Sequence, residues 1–233
     1  MLIYLFDIDG TLTKPRGKIT PELIDVFYKW SDGRDVRLVT GSDRRKTIEQ
    51  VGEEFVNKYI SYQCAGNEIW IGNKLIYRCK WAYPEDKLLK YLNKTLSKSK
   101  FPLRCGTHFE YRSGMFNFSI IGRDCTQRQR EQYRLWDAIH KERIAICETL
   151  NKKFNVIAQI GGEISIDIFE KGRTKGQVIE NIGHPRDRII FFGDKTKPGE
   201  NDYDIARQLP DTNVITVNGP NQTKDILETW KDY

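Results

Sequence analysis

Apolar positions along this chain fall into two textures. Leu2-Ile3-Tyr4-Leu5-Phe6 and Ile189-Ile190-Phe191-Phe192 are short and unbroken, as expected of strands buried on both faces of a parallel sheet. Val36-Arg37-Leu38-Val39, Tyr59 to Tyr62 and Val214-Ile215-Thr216-Val217 are further strands of the same core. Thr20-Pro21-Glu22 reads as N-cap, Pro at N1 and an acidic first turn, so a helix is expected from there to about Trp30. Another should follow Asp43 and run to about Asn57, and a short one should close the chain from about Thr223. From Glu68 the texture changes. Ile69 to Tyr77 reads as a hairpin across a Gly-Asn turn, and Pro84 to about Ser97 as an amphipathic helix. Thr107 to Tyr111 and Met115 to Ile121 are strands joined at Ser113-Gly114. Gln127 to about Lys153 is expected to be one long helix, and Asn155 to Ile160 with Ile164 to Phe169 a second hairpin. The expected architecture is α/β: a Rossmann-like parallel-sheet core formed by residues 1–78 and 172–233. An α+β domain of antiparallel sheet plus two helices, residues 79–171, is inserted into it.

A chain of 233 residues with 39% apolar content can bury a core of this size. The formal net charge is +6. Its basic residues are spread along the chain and mixed with acidic ones, which favours a local phosphate site over a nucleic-acid track. Five scattered cysteines with no CxxC pair point to reduced thiols in the cytoplasm. No apolar run approaches a membrane span, and the N-terminus already reads as core strand, so neither a membrane partner nor a signal peptide is expected.

The strand ends carry the chemistry. The first apolar run ends in Asp7-Ile8-Asp9-Gly10-Thr11. Spacing of i, i+2 in a strand puts both carboxylates on one face, at the carboxyl end where open α/β sheets bind ligands. Such a pair needs a counter-charge, and carboxylate oxygens suit Mg²⁺. The second core strand ends in Thr40-Gly41-Ser42, where either hydroxyl could hold a phosphoryl group. Arg44, Arg45 and Lys46 open the next helix, as an anion site or as a solvated basic surface. Thr174 is expected to cap a helix beginning at Lys175, and the second apolar strand runs into Gly193-Asp194, with Asn201-Asp202 close behind.

These motifs, in this order, resemble those of the haloacid-dehalogenase-like (HAD) phosphotransferases. Phe109 to Asn117, Ile121-Gly122-Arg123, Gly161 to Asp167 and Phe191 to Thr196 resemble, more specifically, the eukaryotic phosphomannomutases, over nearly the whole chain. The resemblance implies that Asp7 is the nucleophile that becomes an aspartyl phosphate, and that Asp9 is the general acid/base. Lys175 would neutralise the phosphoryl group, and Thr40, Ser42 and Lys46 would bind it. Mg²⁺ would be held by Asp7, the Asp9 main chain and Asp194, supported by Asn201 and Asp202. Arg16, Arg112, Arg123, Arg130, Ser165 and Asp167 would contact the substrate. The implied reaction interconverts mannose 6-phosphate and mannose 1-phosphate through a hexose 1,6-bisphosphate, in a homodimer formed through the inserted cap. Thr40 stands where those enzymes usually have glycine, and the turn Cys64-Ala65-Gly66-Asn67 replaces one of Pro-Glu-Asn-Gly type. Ala206 to Leu209 does not match their second cation segment. A capped sugar phosphatase that lets water reach the intermediate is the alternative enzyme, and a non-catalytic phosphosugar- or nucleic-acid-binding protein the alternative from another class.

Overall fold

The computed structural model describes residues 2–15, 17–80 and 85–231. The chain opens with β1 (Ile3–Asp7), α1 (Pro21–Ser31), β2 (Asp35–Val39), α2 (Arg44–Val51), α3 (Glu53–Lys58), β3 (Ile60–Gln63), β4 (Glu68–Ile71) and β5 (Lys74–Arg78). Next come α4 (Asp86–Lys98), β6 (Phe109–Arg112), β7 (Met115–Phe118), α5 (Gln127–His140), α6 (Glu142–Lys153), β8 (Val156–Gly161) and β9 (Ser165–Glu170). The last third adds α7 (Gln177–Ile182), β10 (Ile189–Gly193), α8 (Tyr203–Ala206), β11 (Val214–Thr216) and α9 (Pro220–Thr229). Two compact units result, Met1–Cys79 with Arg173–Tyr233, and Lys80–Gly172.

The first unit is built on a seven-stranded sheet ordered β11-β10-β1-β2-β3-β4-β5. β11 to β3 are parallel, and β4 and β5 extend the edge antiparallel. All five residues of β1 are buried. Tyr4 and Phe6 enter a core under α1, α3 and α9, while Ile3 and Leu5 enter a second core with Val178, Ile182 and Ile205. This is why the run shows no alternation: both faces are covered by helices. Thr20 caps α1 by accepting from Leu23 N–H at 3.3 Å, and Asp43 caps α2 by accepting from Lys46 N–H at 2.8 Å.

The second unit is a four-stranded antiparallel sheet ordered β6-β7-β9-β8. One face is packed with Phe116, Phe118, Ile166, Ile168 and Ala158 against Leu88, Leu92, Tyr133 and Leu150 of the helices. The other face carries polar residues.

Three expected elements are divided or displaced. The helix after Asp43 breaks at Gly52, φ +87°, into α2 and α3. The long helix breaks at Lys141, φ +54°, a left-handed residue that ends α5 and starts α6. A left-handed residue cannot propagate α-helical hydrogen bonds, and no apolar-period signal reveals it. The final helix starts at Pro220, three residues early, using Pro at its first position. Pro84, expected to begin α4, lies outside the described residues.

Candidate active site

At the carboxyl ends of β1 and β10, three carboxylates face one ammonium. Lys175 Nζ donates to Asp7 Oδ1 and to Asp202 Oδ1, each at 2.6 Å. Ligand atoms of Asp7, Asp194 and Asp202 lie within 4.8 Å of one another. Asp7, Lys175 and Asp202 are 1%, 3% and 0% exposed, so water screens these charges little. Burial and the Asp202 charge hold the Asp7 carboxyl well above the ordinary carboxylate range, against the pull of Lys175. Burial also pushes Asp194 up, to about 6. Burial opposes the Lys175 ammonium, but Asp202 and Asp7 outweigh it and hold its pKa above the usual lysine value. One ammonium therefore does not balance the group.

The residues fit a divalent cation. Asp7 Oδ2, Asp194 Oδ1 and Asn201 Oδ1 are buried with no hydrogen-bond partner among the described residues. An all-oxygen donor set suits a hard cation such as Mg²⁺. Gly10 makes room for the Asp194 carboxylate: at φ +91°, a Cβ there would lie 2.2 Å from Asp194 Oδ2. Asp202 has a second task, since its Oδ2 accepts from Lys195 N–H at 3.3 Å and closes the loop after β10.

Asp9 is placed differently from the strand-face expectation. β1 ends at Asp7, and the chain turns on Ile8, whose carbonyl accepts from Leu12 and Thr13 N–H at 3.0 Å. The Asp9 carboxylate thus lies past the strand, where Gln50 Nε2 donates to Oδ1 at 2.8 Å and Ser42 Oγ donates to Oδ2 at 3.4 Å. Gln50 is buried in the last turn of α2 with its Oε1 unpartnered among the described residues. No motif in the sequence singled it out.

Lys175 is not in a helix. α7 begins at Gln177 with Gly176 as its cap and no side-chain cap, so the expected Thr174 cap is absent. The lysine sits in the turn before it, held by a bracket that the sequence did not reveal. Asn67 Nδ2 donates to Arg173 O at 3.1 Å, and Gln177 Nε2 to Ala65 O at 2.9 Å. Cys64 N–H bonds Ser42 O and Ala65 N–H bonds Thr40 O, at 2.9 and 2.8 Å. Cys64 and Ala65 both have positive φ, +50° and +60°. A left-handed conformation costs about 1–2 kcal/mol for a residue with a Cβ, and backbone strain of this kind is held in place by surrounding contacts.

At the end of β2, Thr40 Oγ1 is buried and accepts Ser42 N–H at 3.0 Å. Of the three cations opening α2, Arg44 is a clamp for its own sheet. It donates to Ser61 Oγ at 2.9 Å, to Gly72 O at 2.7 Å and to Asn57 Oδ1, and lies over the Trp70 ring. Arg45 and Lys46 pair with Glu49 on the same helix, at 3.4 and 3.6 Å. Arg16 lies outside the described residues.

The inserted unit gathers a second polar cluster on its open sheet face. Arg123 follows β7 and donates through Nη1 to Ser165 Oγ at 3.0 Å. Arg130, in the first turn of α5 and buried, donates to Arg123 O at 3.3 Å. Arg112, on β6, shares Glu110 with Arg123, at 2.7 Å each. Asp167 faces Asn117 across the β7–β9 pair, accepting from its Nδ2 at 2.6 Å. Arg143 fixes the turn beneath them: bonded to Asp137 at 2.8 Å, it donates to Gly162 O and Ser165 O at 3.2 Å. Glu110, Asn117 and Arg143 were missed by sequence reasoning. For Glu110 a signal existed, because it stands i, i+2 from Arg112 in a strand.

A family model described as eukaryotic phosphomannomutase matches residues 23–231. Phosphomannomutase 1 of Dictyostelium discoideum is 38% identical over 97% of this chain and 94% of its own length. The phosphomannomutase of Spinacia oleracea is 37% identical over 88% of this chain and 86% of its own. Among solved structures, a haloacid dehalogenase-like hydrolase from B. subtilis superposes with a TM-score of 0.64 at 13% identity, covering 99% of this chain and 100% of that one. The C-terminal domain of C. albicans trehalose-6-phosphate phosphatase gives 0.64 at 15%, over 97% and 90%. At such identities the two structures establish a shared HAD fold and nothing about the reaction.

Proposed function

The chain belongs to the eukaryotic phosphomannomutase family, and from that premise we propose that it interconverts mannose 6-phosphate and mannose 1-phosphate through an aspartyl phosphate on Asp7. The observation that carries this reading is the buried Lys175 ammonium bonded to Asp7 and Asp202 at 2.6 Å. It leaves Asp7 Oδ2 without a partner among the described residues. One Asp7 oxygen would take the cation and the other would attack phosphorus, while the fixed ammonium beside them offsets charge on the phosphoryl group. Asp9, steadied by Gln50 and Ser42, takes the proton from the attacking sugar hydroxyl and gives one to the leaving oxygen. Asp7, the Asp9 carbonyl, Asp194, Asn201 and Asp202 would hold Mg²⁺, which when bound offsets negative charge on the phosphoryl oxygens. Thr40, Ser42 and Lys46 complete the phosphoryl end. Arg112, Arg123 and Arg130, with Arg16, hold the phosphate that is not being transferred, and Ser165 and Asp167 bind sugar hydroxyls. The first sugar leaves as a 1,6-bisphosphate, which turns around and returns the other phosphoryl group to Asp7. A homodimer formed through residues 79–171 and a cytoplasmic location belong to the same reading.

Product analysis tests it. With Mg²⁺, mannose 1-phosphate and a trace of hexose 1,6-bisphosphate, mannose 6-phosphate should form without stoichiometric inorganic phosphate. Phosphate release that outpaces isomerisation would make the chain a sugar phosphatase instead.

Metal binding is expected to depend on pH through Asp194. Its carboxyl, raised from 3.8 to about 6, must lose its proton to bind a cation. Mg²⁺ affinity should therefore fall as pH drops through about 6, by up to about tenfold per unit for the Asp194 proton and as much again for Asp7, whose carboxyl is also held up. In the metal-free protein the sign reverses. A raised carboxyl contributes stability that is fully present below its unfolded pKa and is lost as pH rises through about 6. Melting curves with EDTA should fall across that window, and saturating Mg²⁺ should remove the fall. A flat EDTA profile would count against this account.

A further inference from the structure

We propose that Glu110 is a positioning residue that fixes the two exposed-face arginines of the inserted unit and sets how tightly they grip a phosphate. The inference rests on the reading that these arginines bind the substrate's phosphate. Strand alternation puts Glu110 and Arg112 on the same face of β6, while Phe109 packs into the core behind. Glu110 Oε1 accepts from Arg112 Nε at 3.1 Å and Nη2 at 2.7 Å. Its Oε2 takes Arg123 Nε at 2.7 Å. Arg123 Nη1 is on Ser165, and the side chains of Arg112 and Arg123 are only 10% and 20% exposed.

One carboxylate between two mostly buried guanidiniums acts in two ways. The first is geometric. Arg112 turns its Nε–Nη2 edge to Glu110, and Arg123 is held through Nε on Glu110 and Nη1 on Ser165, so the orientation of both is fixed before any ligand arrives. The second is electrostatic. Arg112 and Arg130 repel Arg123, and Glu110 is the largest charge that supports its cationic form. The Glu110 carboxyl, though burial opposes its ionisation, is held below the ordinary range by both arginines. A phosphate entering the cluster meets oriented donors, but also a fixed negative charge that shares them. The grip is thereby weaker than the arginines alone would give. A mutase whose bisphosphate must let go of this end in order to turn around needs that moderation.

Geometry and charge can be separated by two substitutions in the intact Mg²⁺ enzyme. Glu110→Gln keeps the length and removes the charge; its one oxygen can still accept from one guanidinium, while its amide NH2 faces the other. KM for mannose 1-phosphate and the inhibition constant for inorganic phosphate are expected to fall about fivefold. In the same variant kcat should drop, and the dependence of KM on salt should steepen. Glu110→Asp keeps the charge but is one methylene too short to span both forks, so KM should rise about tenfold. If Glu110→Gln raises KM as Glu110→Asp does, the residue is scaffold alone and the electrostatic role is overturned. Should Glu110→Gln not fold, Glu110→Asp decides the positioning role, with an unchanged KM overturning it. Arg123→Met separates the underlying reading: an unchanged KM there would remove the arginines from substrate binding and this inference with them. A raised KM there, with no response to Glu110→Gln, would overturn only the role of Glu110.

Discussion

Replacing Asp7 by Asn is expected to abolish turnover, by a factor on the order of 10⁴ or more, while leaving the fold intact. Asn keeps the shape and an oxygen that can accept from Lys175 Nζ, which lies 2.6 Å from Asp7 Oδ1. It removes the proposed nucleophile and one of the three carboxylates that face a single ammonium. Burial already holds Asp7 above the ordinary carboxylate range, so the change relieves a charge that the fold tolerates at a cost. The metal-free variant should therefore melt no lower than the parent at neutral pH, and Mg²⁺ should raise its melting temperature less. Labelled hexose bisphosphate should leave no phosphate on the protein. Residual turnover above about one per cent of the parent, or persistent labelling, would remove Asp7 from the nucleophile's role.

Lys175→Met should produce the largest loss of stability. Lys175 is 3% exposed and bonded to two carboxylates, Asp7 and Asp202, which are themselves 1% and 0% exposed. Removing one partner of a buried ion pair leaves uncompensated charge and costs about 3–5 kcal/mol. On the proposed mechanism activity should fall together with stability, by about a hundredfold or more, because the ammonium that would offset charge on the phosphoryl group is gone. The pH dependence identifies the cause. Without the lysine the buried Asp7 carboxyl, already held above the ordinary range, is harder still to ionise in the folded state, so it favours the fold at low pH and loses that contribution as pH rises. Urea unfolding at pH 5 should therefore show a smaller deficit than at pH 8. Equal deficits at both values would point to lost packing rather than lost charge.

Parts of this site were legible in the linear chain because they depend on local pattern. Unbroken apolar runs ending in Asp7 and in Asp194 place both residues at strand ends whatever the rest of the fold does, since a strand buried on both faces has room for carboxylates only where it emerges. The glycine after Asp9 was legible as part of a motif, but its reason was not: only the fold brings Asp194 to within a Cβ of Gly10. The inserted unit was legible as a change of periodicity, whereas the substrate role of its arginines rests on resemblance alone. The break at Lys141 was not, because a left-handed lysine leaves the apolar spacing of α5 and α6 undisturbed.

What the sequence by itself determined is the set of chemical groups and the elements that carry them: Asp7 on the first strand, Asp194 after β10, hydroxyls after β2, arginines on and after β6 and β7. These follow from side-chain type and from periods of two and 3.6, which are local properties. What only the tertiary structure decided is which groups share a charge. Lys175 and Asp7 are 168 positions apart and meet at 2.6 Å, Gln50 reaches back 41 positions to Asp9, and Asn67 holds the backbone 106 positions on. Coulomb energy depends on separation in space and on burial, neither of which is written in the order of residues. Hence the roles of Gln50, Asn67 and Glu110, and the direction in which Asp7, Asp194 and Lys175 are displaced, belong to the folded chain.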